Sequence, residues 1–188
     1  MDYKQKYKLR IDELNELSEE VYQELDLKKT EDMILEMLEI GYFDGVSAAN
    51  EMIGSDLEPN MEKMNKAIFK EIGGENIINR IEKYSSQGTI DDYKRLIESE
   101  YHRLFNEGVY DTGEDSGKPL YKKWVAIMDE RTRDDHWALD GVVVKFNDYF
   151  YEPSGDYGRF PGDFLLPESN VNCRCAIELS IQSDNEDE

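Results

Sequence analysis

Apolar residues recur at helical spacing along the first part of the chain. In residues 5–27 they fall on one heptad-like seam that Ser18 interrupts, which predicts an amphipathic helix. The members of this seam are Tyr7, Ile11, Leu14, Val21 and Leu25. A second helix of about three turns is predicted to begin at Thr30, as its N-cap, and to end at Gly41.

More helical stretches follow a broken connection at 43–60. A third helix is predicted over 61–74, closed by glycines, and 76–88 continues helically before a polar turn. The stretch 89–108 predicts a helix with an apolar inner face. Glu100 falls on that face at helical spacing, so its carboxylate needs a partner. The apolar members of the face are Tyr93, Leu96, Ile97 and Leu104.

After these helices, the sequence pattern changes to short apolar and β-branched runs. Residues 121–129 predict a buried strand ending at Asp129, 141–146 a second strand and 175–181 a last one, with proline-containing loops between the last two. The predicted fold class is therefore α+β, in which N-terminal helices precede a small, loop-rich mixed α/β domain with few strands.

The predicted organisation has three parts. An N-terminal helical region covers 1–84, a second domain covers 85–181, and an acidic tail at 182–188 is expected to be disordered. The net charge of −21 is spread along the chain, and such a field repels phosphate backbones and anionic lipid. Free binding to nucleic acid or membrane is thus disfavoured, although solubility alone also explains the charge.

Neither a membrane span nor a secretion signal is evident in the sequence, since no apolar run approaches roughly 18 residues. We therefore expect a protein made and kept in the cytoplasm, unless something larger carries it out. Its two cysteines, Cys173 and Cys175, are separated by one residue, so a disulfide between them would close a small, strained ring. Reduced thiols or metal ligands are the remaining interpretations.

Charge is concentrated between the first two predicted strands. The titratable residues there are Asp129, Arg131, Arg133, Asp134, Asp135, His136 and Asp140. They are too many for an ordinary turn unless they pair with one another or with Glu100 and Arg174. An arginine fork binds a carboxylate through two parallel hydrogen bonds, so such a network would be geometrically well defined. Gly141 then permits a sharp turn.

His136, Cys173 and Cys175 are candidate zinc ligands, because zinc accepts imidazole and thiolate in tetrahedral geometry. A structural site needs a fourth ligand, which would be Asp129, Asp140 or water. The alternative is a hydrogen-bonded histidine beside two buried thiols, with no metal. No catalytic residue is predicted, since no positioned base is evident for either thiol and the spacing does not match that of zinc deaminases.

An ordered set of motifs over residues 88–181 resembles the phage Mu F-like family of head morphogenesis or minor head proteins. A tryptophan leads into Asp-x-Arg-Thr-Arg-x-x-His-x-x-Leu-Asp-Gly, followed by Pro-Gly-Asp and Asn-Cys-Arg-Cys. The matching residues are Trp124, Asp129, Arg131, Thr132, Arg133, His136, Leu139, Asp140, Gly141, Pro161, Gly162, Asp163, Asn172, Cys173, Arg174 and Cys175.

Two departures from the family's pattern affect the site. Of the Ala-Arg-Thr-Glu that members often carry in the preceding helix, only the glutamate is kept, as Glu100. Some relatives place a C-x-x-C where this chain has Arg133 and His136, which favours a metal origin for the site with one ligand lost.

The resemblance implies a virion or prophage protein present in few copies and associated with the portal vertex. Its expected partners are the portal protein and, in addition, scaffold or major capsid protein. It would be found in the host cytoplasm during assembly and in the virion afterwards, in the head interior or at the portal vertex. Its work would be binding, in head assembly or DNA delivery, rather than turnover.

Two alternatives stay open from the sequence. Relatives of the family are sometimes fused to toxin or ADP-ribosyltransferase domains, which keeps a metal-dependent hydrolase or toxin-like effector using His136, Cys173 and Cys175 as the rival function. A protein that contacts DNA during ejection would need a local basic face. The residues available for such a face are Lys118, Lys122, Lys123, Arg131 and Arg133.

Overall fold

The computed structural model describes the backbone of residues 3–181 and the side chains from residue 10 onward. The helices of this part are α1 Tyr3–Gln23, α2 Leu27–Ile53, α3 Met61–Ile68, α4 Ile77–Gln87, α5 Ile90–Asp115, α6 Asp134–Leu139 and α7 Pro167–Asn170. The strands are β1 Leu120–Val125, β2 Val143–Lys145, β3 Phe150–Tyr151, β4 Tyr157–Gly158 and β5 Ala176–Ile181. The tail at 182–188 and the side chain of Tyr7 lie outside the described residues. The predicted α+β class is confirmed.

The first helix ends earlier than its apolar seam predicts. Leu14 and Val21 are buried as predicted, and Ser18 satisfies its hydroxyl by donating to the Leu14 carbonyl oxygen at 2.6 Å. Leu25 lies in the break before α2 and is 98% exposed, so its assignment to the seam is wrong. The break is fixed by Asp26, whose side chain accepts hydrogen bonds from the first backbone N–H groups of α2.

The prediction that the second helix spans Thr30 to Gly41 is also wrong. Asp26 is the N-cap, Thr30 is buried inside α2, and the helix continues to Ile53 before Gly54 ends it in the left-handed conformation. The interior glycines serve helix packing instead. A Cβ atom added at Gly45 would lie 2.1 Å from the carbonyl oxygen of Phe105. Glycine at this position lets the backbones of α2 and α5 come into contact. The helix α2 therefore continues into the stretch 43–60, which was predicted to be a broken connection.

The long helix α5 begins with a capping box, in which Thr89 and Asp92 each bond to the other's backbone. Its predicted inner face is buried as expected: Tyr93, Leu96, Ile97, Glu100 and Leu104. The helix runs for 26 residues, past the predicted end at 108, because Gly108 packs against the α2 backbone just as Gly45 does against α5. The helical layer is thus built around one close pair, α2 and α5.

The strands form a three-stranded antiparallel sheet in the order β2-β1-β5, and β3 pairs with β4 in a separate hairpin. The three predicted strands are present with shorter bounds, since β1 ends at Val125 rather than at Asp129. Trp124 and Ile177 are opposite each other in β1 and β5 and are fully buried. The charged stretch between the first two predicted strands, for which no helix was predicted, contains the short helix α6.

Two clusters of buried side chains share the central helices. One lies among α1 to α5, with Leu38 and Ile97 at its centre. The other joins Ile53 of α2 and Val109 of α5 to the sheet and its loops. Helices α2 and α5 therefore contribute to both clusters, and the boundary at residue 84 stays a prediction.

Lys122, one of the residues available for a DNA-contacting basic face, does not reach the surface. Lys122 points from the centre of β1 into the core and is 0% exposed. Its Nζ lies 5.3 Å from the ring centres of Tyr110 and Phe150 and 5.9 Å from that of Phe146, and it has no hydrogen-bond partner among the described residues. Lys123 pairs with Glu178 on the neighbouring strand. The lysines of this segment therefore do not present a joint surface to DNA.

Replacing Lys122 by Met is expected to stabilise the protein near neutral pH. Burial lowers the pKa of Lys122 to about 8, so the folded chain binds fewer protons than the unfolded chain between about pH 8 and pH 10.5. The cost of burying the charge is thus fully present below pH 8 and disappears as the pH rises. We expect Lys122→Met to raise the free energy of unfolding by about 1 to 3 kcal/mol at pH 7, and by less at pH 10.

Urea unfolding at both pH values measures this difference, with Lys145→Met on the exposed face of β2 as the control. Destabilisation by Lys122→Met that is the same at pH 7 and pH 10 would contradict the expected cost of the buried charge.

Candidate metal centre

The segments that carry the candidate ligands are held by turns whose geometry the sequence encodes. Asp140, at the end of α6, accepts a hydrogen bond from the Ala126 backbone N–H at 2.8 Å. Gly141 adopts a φ of 79° and donates its backbone N–H to the Trp124 carbonyl oxygen at 2.9 Å. Asn172 adopts the left-handed conformation just before Cys173. These turns bring α6 and the start of β5 to the same side of Trp124.

The structure brings His136, Cys173 and Cys175 together in the interior. The Nδ1 atom of His136 lies 3.6 Å from Cys173 Sγ and 3.5 Å from Cys175 Sγ. The three ligand atoms lie within 4.8 Å of one another, and all three residues are buried. In tetrahedral zinc sites, bonds of about 2.0 to 2.1 Å to nitrogen and about 2.3 Å to sulfur separate these atoms by about 3.5 Å. The side chains are thus spaced like one face of such a tetrahedron.

Glu152 holds the other edge of the imidazole. Its Oε1 lies 3.0 Å from His136 Nε2, and its Oε2 accepts hydrogen bonds from Ser169 Oγ at 2.8 Å and Ser154 Oγ at 3.1 Å. With Nε2 facing this carboxylate, Nδ1 faces the two sulfur atoms and is the ring nitrogen that would bind a metal, as in carboxylate–histidine–zinc sites. Sequence reasoning missed Glu152, which lies in the loop after β3 with no local signal of its role.

The electrostatics favour a thiolate at Cys173. Hydrogen bonds from the Cys175 thiol and from His136 lower the pKa of Cys173 well below its usual range, although burial opposes the shift. The shared hydrogen bond to Cys173 and burial raise the pKa of Cys175. Burial lowers the pKa of His136, but the hydrogen bond and charge of Cys173, together with the charge of Glu152, outweigh burial and raise the pKa. The cluster therefore holds shared protons that a bound cation would replace.

Neither aspartate that the sequence suggested as a fourth ligand is available. Asp129 accepts two hydrogen bonds from the Arg174 guanidinium, at 2.7 and 2.6 Å, and Asp140 is engaged by Ala126. A cavity of about 10 Å³ adjoins the three ligands, with Thr132 and Asn172 in its wall. That volume suits a single water molecule. A tetrahedral metal held here would take water as its fourth ligand.

The remaining motif residues stabilise the loops around the cluster. Thr132 donates its hydroxyl to the Ile127 carbonyl oxygen, and Arg133 donates to the Val171 carbonyl oxygen. Arg131 pairs with Glu98 of α5 at 3.3 Å. Trp124 meets the His136 ring edge to face, at 5.3 Å between ring centres. Of the predicted arginine and acid pairs, the structure shows Asp129 with Arg174 and Arg131 with Glu98, whereas Arg133 and Asp140 bond to backbone groups.

Glu100 belongs to a second buried network rather than to the metal cluster. Its carboxylate accepts hydrogen bonds from Arg103 at 2.9 and 2.7 Å and from Arg80 of α4 at 2.7 Å. Burial raises its pKa, but the two guanidinium groups outweigh burial and lower it. Glu100 and Cys173 line the same cavity of about 270 Å³ between α4, α5 and the loop before β5.

Removing the Asp129 carboxylate is expected to weaken the pairing that fixes Arg174. The hydrogen bonds of Arg174 lower the pKa of Asp129 to about 2, so their contribution is present above about pH 4 and is lost as the pH falls towards 2. Because the carboxylate is 40% exposed, we expect Asp129→Asn to cost only about 0.5 to 1 kcal/mol at pH 7.

Denaturant unfolding at pH 7 and at pH 2.5 checks this, with Asp148→Asn, an exposed carboxylate, as the control. A loss of stability by Asp129→Asn that persists in full at pH 2.5 would show that pairing is not its cause.

Within the described residues, no helix is both long and apolar enough to cross a membrane.

No solved structure matches the chain. The chain is 32% identical over 88 residues to Minor head protein GP7 of Bacillus phage SPP1, which covers 46% of this chain and 29% of that protein. It is also 32% identical over 84 residues to NAD(+)--arginine ADP-ribosyltransferase EFV of Enterococcus faecalis, covering 41% of this chain and 17% of that protein. The chain thus spans less than a third of either curated relative.

Residues 60–178 match the family described as Phage Mu protein F like protein. The match begins before the motifs that carry the resemblance and includes α3 and α4. It contains the whole His136, Cys173 and Cys175 cluster and the Glu100 network. The chain belongs to the Phage Mu protein F like family of phage minor head proteins.

Proposed function

We propose that the protein is a minor component of a phage head that binds the portal vertex and assists head assembly or DNA delivery. The observation that carries this proposal is family membership together with the identity to Minor head protein GP7 of phage SPP1. The partners would be the portal protein and, in addition, scaffold or major capsid protein. The protein would pass from the host cytoplasm into the head interior or the portal vertex.

The geometry supports binding rather than turnover. The charged motif residues are held by Arg174, Glu98 and backbone groups of the loops, and both cysteines and His136 are buried. The small cavity beside the three candidate ligands has about the volume of one water molecule. The similarity to the ADP-ribosyltransferase covers 17% of that protein, so its activity is not carried over. The hydrolase alternative gains no support from these contacts.

We further propose that His136, Cys173 and Cys175 hold a structural zinc ion. Zinc would neutralise the thiolates and join α6 to the start of β5, two segments that are 37 residues apart in the sequence at His136 and Cys173. Glu152 would orient the imidazole, and Trp124 would exclude solvent from one side. In this proposal the metal stabilises the loops of the C-terminal half and performs no reaction.

Co-assembly with the head proteins of its own genome tests the proposed function. The purified chain is mixed with the portal protein and, separately, with the major capsid protein, and each mixture is resolved on a sizing column. We expect a stable complex with the portal protein. Heads assembled in its presence are then purified and probed for the protein. Absence from both the portal complex and the purified heads would refute the proposal.

A further inference from the structure

Five large apolar side chains project from neighbouring segments of the C-terminal half. We call this set, formed by Tyr149, Tyr151, Tyr157, Leu165 and Leu166, the tyrosine–leucine surface; each member is at least 37% exposed. Tyr151 and Tyr157 are register partners in the β3–β4 hairpin, and Tyr149 contacts Tyr157 edge to face at 5.3 Å between ring centres. The three tyrosine rings contact one another, and clustered exposed apolar side chains of this kind are typical of interaction sites.

Buried hydrogen bonds fix the segments that carry the tyrosine–leucine surface. The buried carboxylate of Asp156 accepts hydrogen bonds from the backbone N–H groups of Tyr157, Leu165 and Leu166, at 2.8, 3.2 and 3.0 Å. This carboxylate therefore ties the leucine segment to the hairpin. Gly158 lets the two backbones meet, since a Cβ atom there would lie 3.0 Å from the Phe164 nitrogen. A buried acid thus fixes the relative position of the exposed side chains.

The other faces of the same segments pack on the candidate metal centre. Phe150 lies between Tyr149 and Tyr151 and contacts Trp124, and Phe164, which precedes Leu165, also contacts Trp124. Glu152 follows Tyr151 and bonds to His136. Inward-facing residues of the core and outward-facing members of the surface are therefore adjacent along the chain. The apolar exposure is not explained by any need of the core, which is filled by the neighbouring residues.

Charge decides which occupant fits the tyrosine–leucine surface. Among residues 147–171, the exposed charged side chains are Asp148 and Glu168, both acidic, while Arg159 is paired with Asp163. With a net charge of −21, two copies of the chain repel each other, and nucleic acid is repelled as well. A cationic partner is attracted by the whole field. Tyrosine faces also bind the side chains of arginine and lysine through cation–π contacts.

We propose that the tyrosine–leucine surface binds a protein segment that carries arginine or lysine side chains interspersed with apolar ones. Its cations would lie over the tyrosine rings, beside Asp148 and Glu168, and its apolar side chains would cover Leu165 and Leu166. This inference rests on the contacts of the surface itself, and it holds whether or not the partner is a portal protein.

A defined peptide tests the proposal with the full chain. The probe is a fluorescein-labelled 12-residue peptide of alternating arginine and leucine, and its counterpart has glutamate in place of arginine. The variant Tyr151→Ser/Tyr157→Ser removes two rings and leaves the net charge unchanged, so general attraction of the peptide is preserved. Tyr22→Ser is the matched control, because Tyr22 of α1 is 48% exposed and lies outside the surface.

We expect the double variant to weaken binding of the arginine peptide at least tenfold, and Tyr22→Ser to change it less than twofold. If the double variant does not fold, Tyr149→Ser/Leu165→Ser replaces it, which also leaves the net charge unchanged, with the same expected weakening. Equal binding by variant and control, equal binding of the glutamate peptide, or self-association that the double variant abolishes would overturn the proposal, the last by assigning the surface to a second copy.

Discussion

Replacement of His136 by Ala is expected to lower the free energy of unfolding by about 3 to 5 kcal/mol when the protein is saturated with zinc. The loss would combine the metal's contribution with that of a buried, hydrogen-bonded ring. His136 joins α6 to the two cysteines at 3.5 and 3.6 Å, so removing it leaves two ligands that cannot retain the ion. Denaturant unfolding with and without added zinc measures the difference, and elemental analysis gives the zinc content.

The dependence on zinc separates the two interpretations of the cluster. If no metal is bound, His136→Ala should cost about 1 to 3 kcal/mol from lost hydrogen bonds and packing, whether or not zinc is present. If the cluster does bind zinc, added zinc should raise the free energy of unfolding of the unaltered chain and leave that of the His136→Ala variant unchanged. Trp137→Ala is the control, because Trp137 is the half-exposed neighbour of His136 on α6. A zinc-free protein whose stability ignores added zinc would exclude the structural metal.

Replacement of Glu100 by Gln is expected to cost about 3 to 5 kcal/mol, because it leaves two guanidinium groups without their counter-charge. Arg103 and Glu100 are both buried, and Arg80 is mostly buried against the same carboxylate. Arg80 and Arg103 bond to different oxygens of Glu100, and in glutamine one of these oxygens is replaced by an NH2 donor, which faces a guanidinium donor. Thermal and denaturant unfolding at pH 7 should show the loss as a clear shift of the transition midpoint.

Glu114→Gln provides the matched comparison for this network. Glu114 lies on the same helix and pairs with Lys63, but its side chain is 54% exposed. We expect that variant to lose less than about 1 kcal/mol, as exposed ion pairs usually do. Similar losses for the two glutamates would mean that burial does not set the strength of the Glu100 network.

Hydrophobic periodicity predicted the features of the fold that depend on residues close together in the sequence. The apolar face of α5 and the position of Glu100 on it follow from helical spacing, and the strands β1 and β5 follow from their β-branched and apolar runs. The grouping of His136 with both cysteines followed from the chemistry of the side chains. The spacing of their ligand atoms agrees with that grouping, although the presence of a metal stays a prediction.

The features that sequence reasoning missed depend on partners far along the chain. Gly41 looks like a helix end, and Gly45 like part of a connection, until α5 is placed against them. Glu152 acquires a role only when α6 brings His136 to it. Lys122 looks like a surface base, yet its place in the middle strand directs it among three aromatic rings. Tertiary contacts, rather than local preference, decide each of these cases.

The shared helix α5 has a consequence for how the protein opens. A helix of 26 residues spans about 39 Å, and its two ends are fixed in different clusters of buried side chains. If either cluster opens, one end of α5 loses the side-chain packing that supports its helical hydrogen bonds. The two halves should therefore behave as one cooperative unit, in which the amide protons at the middle of α5 exchange with solvent only when the entire fold opens.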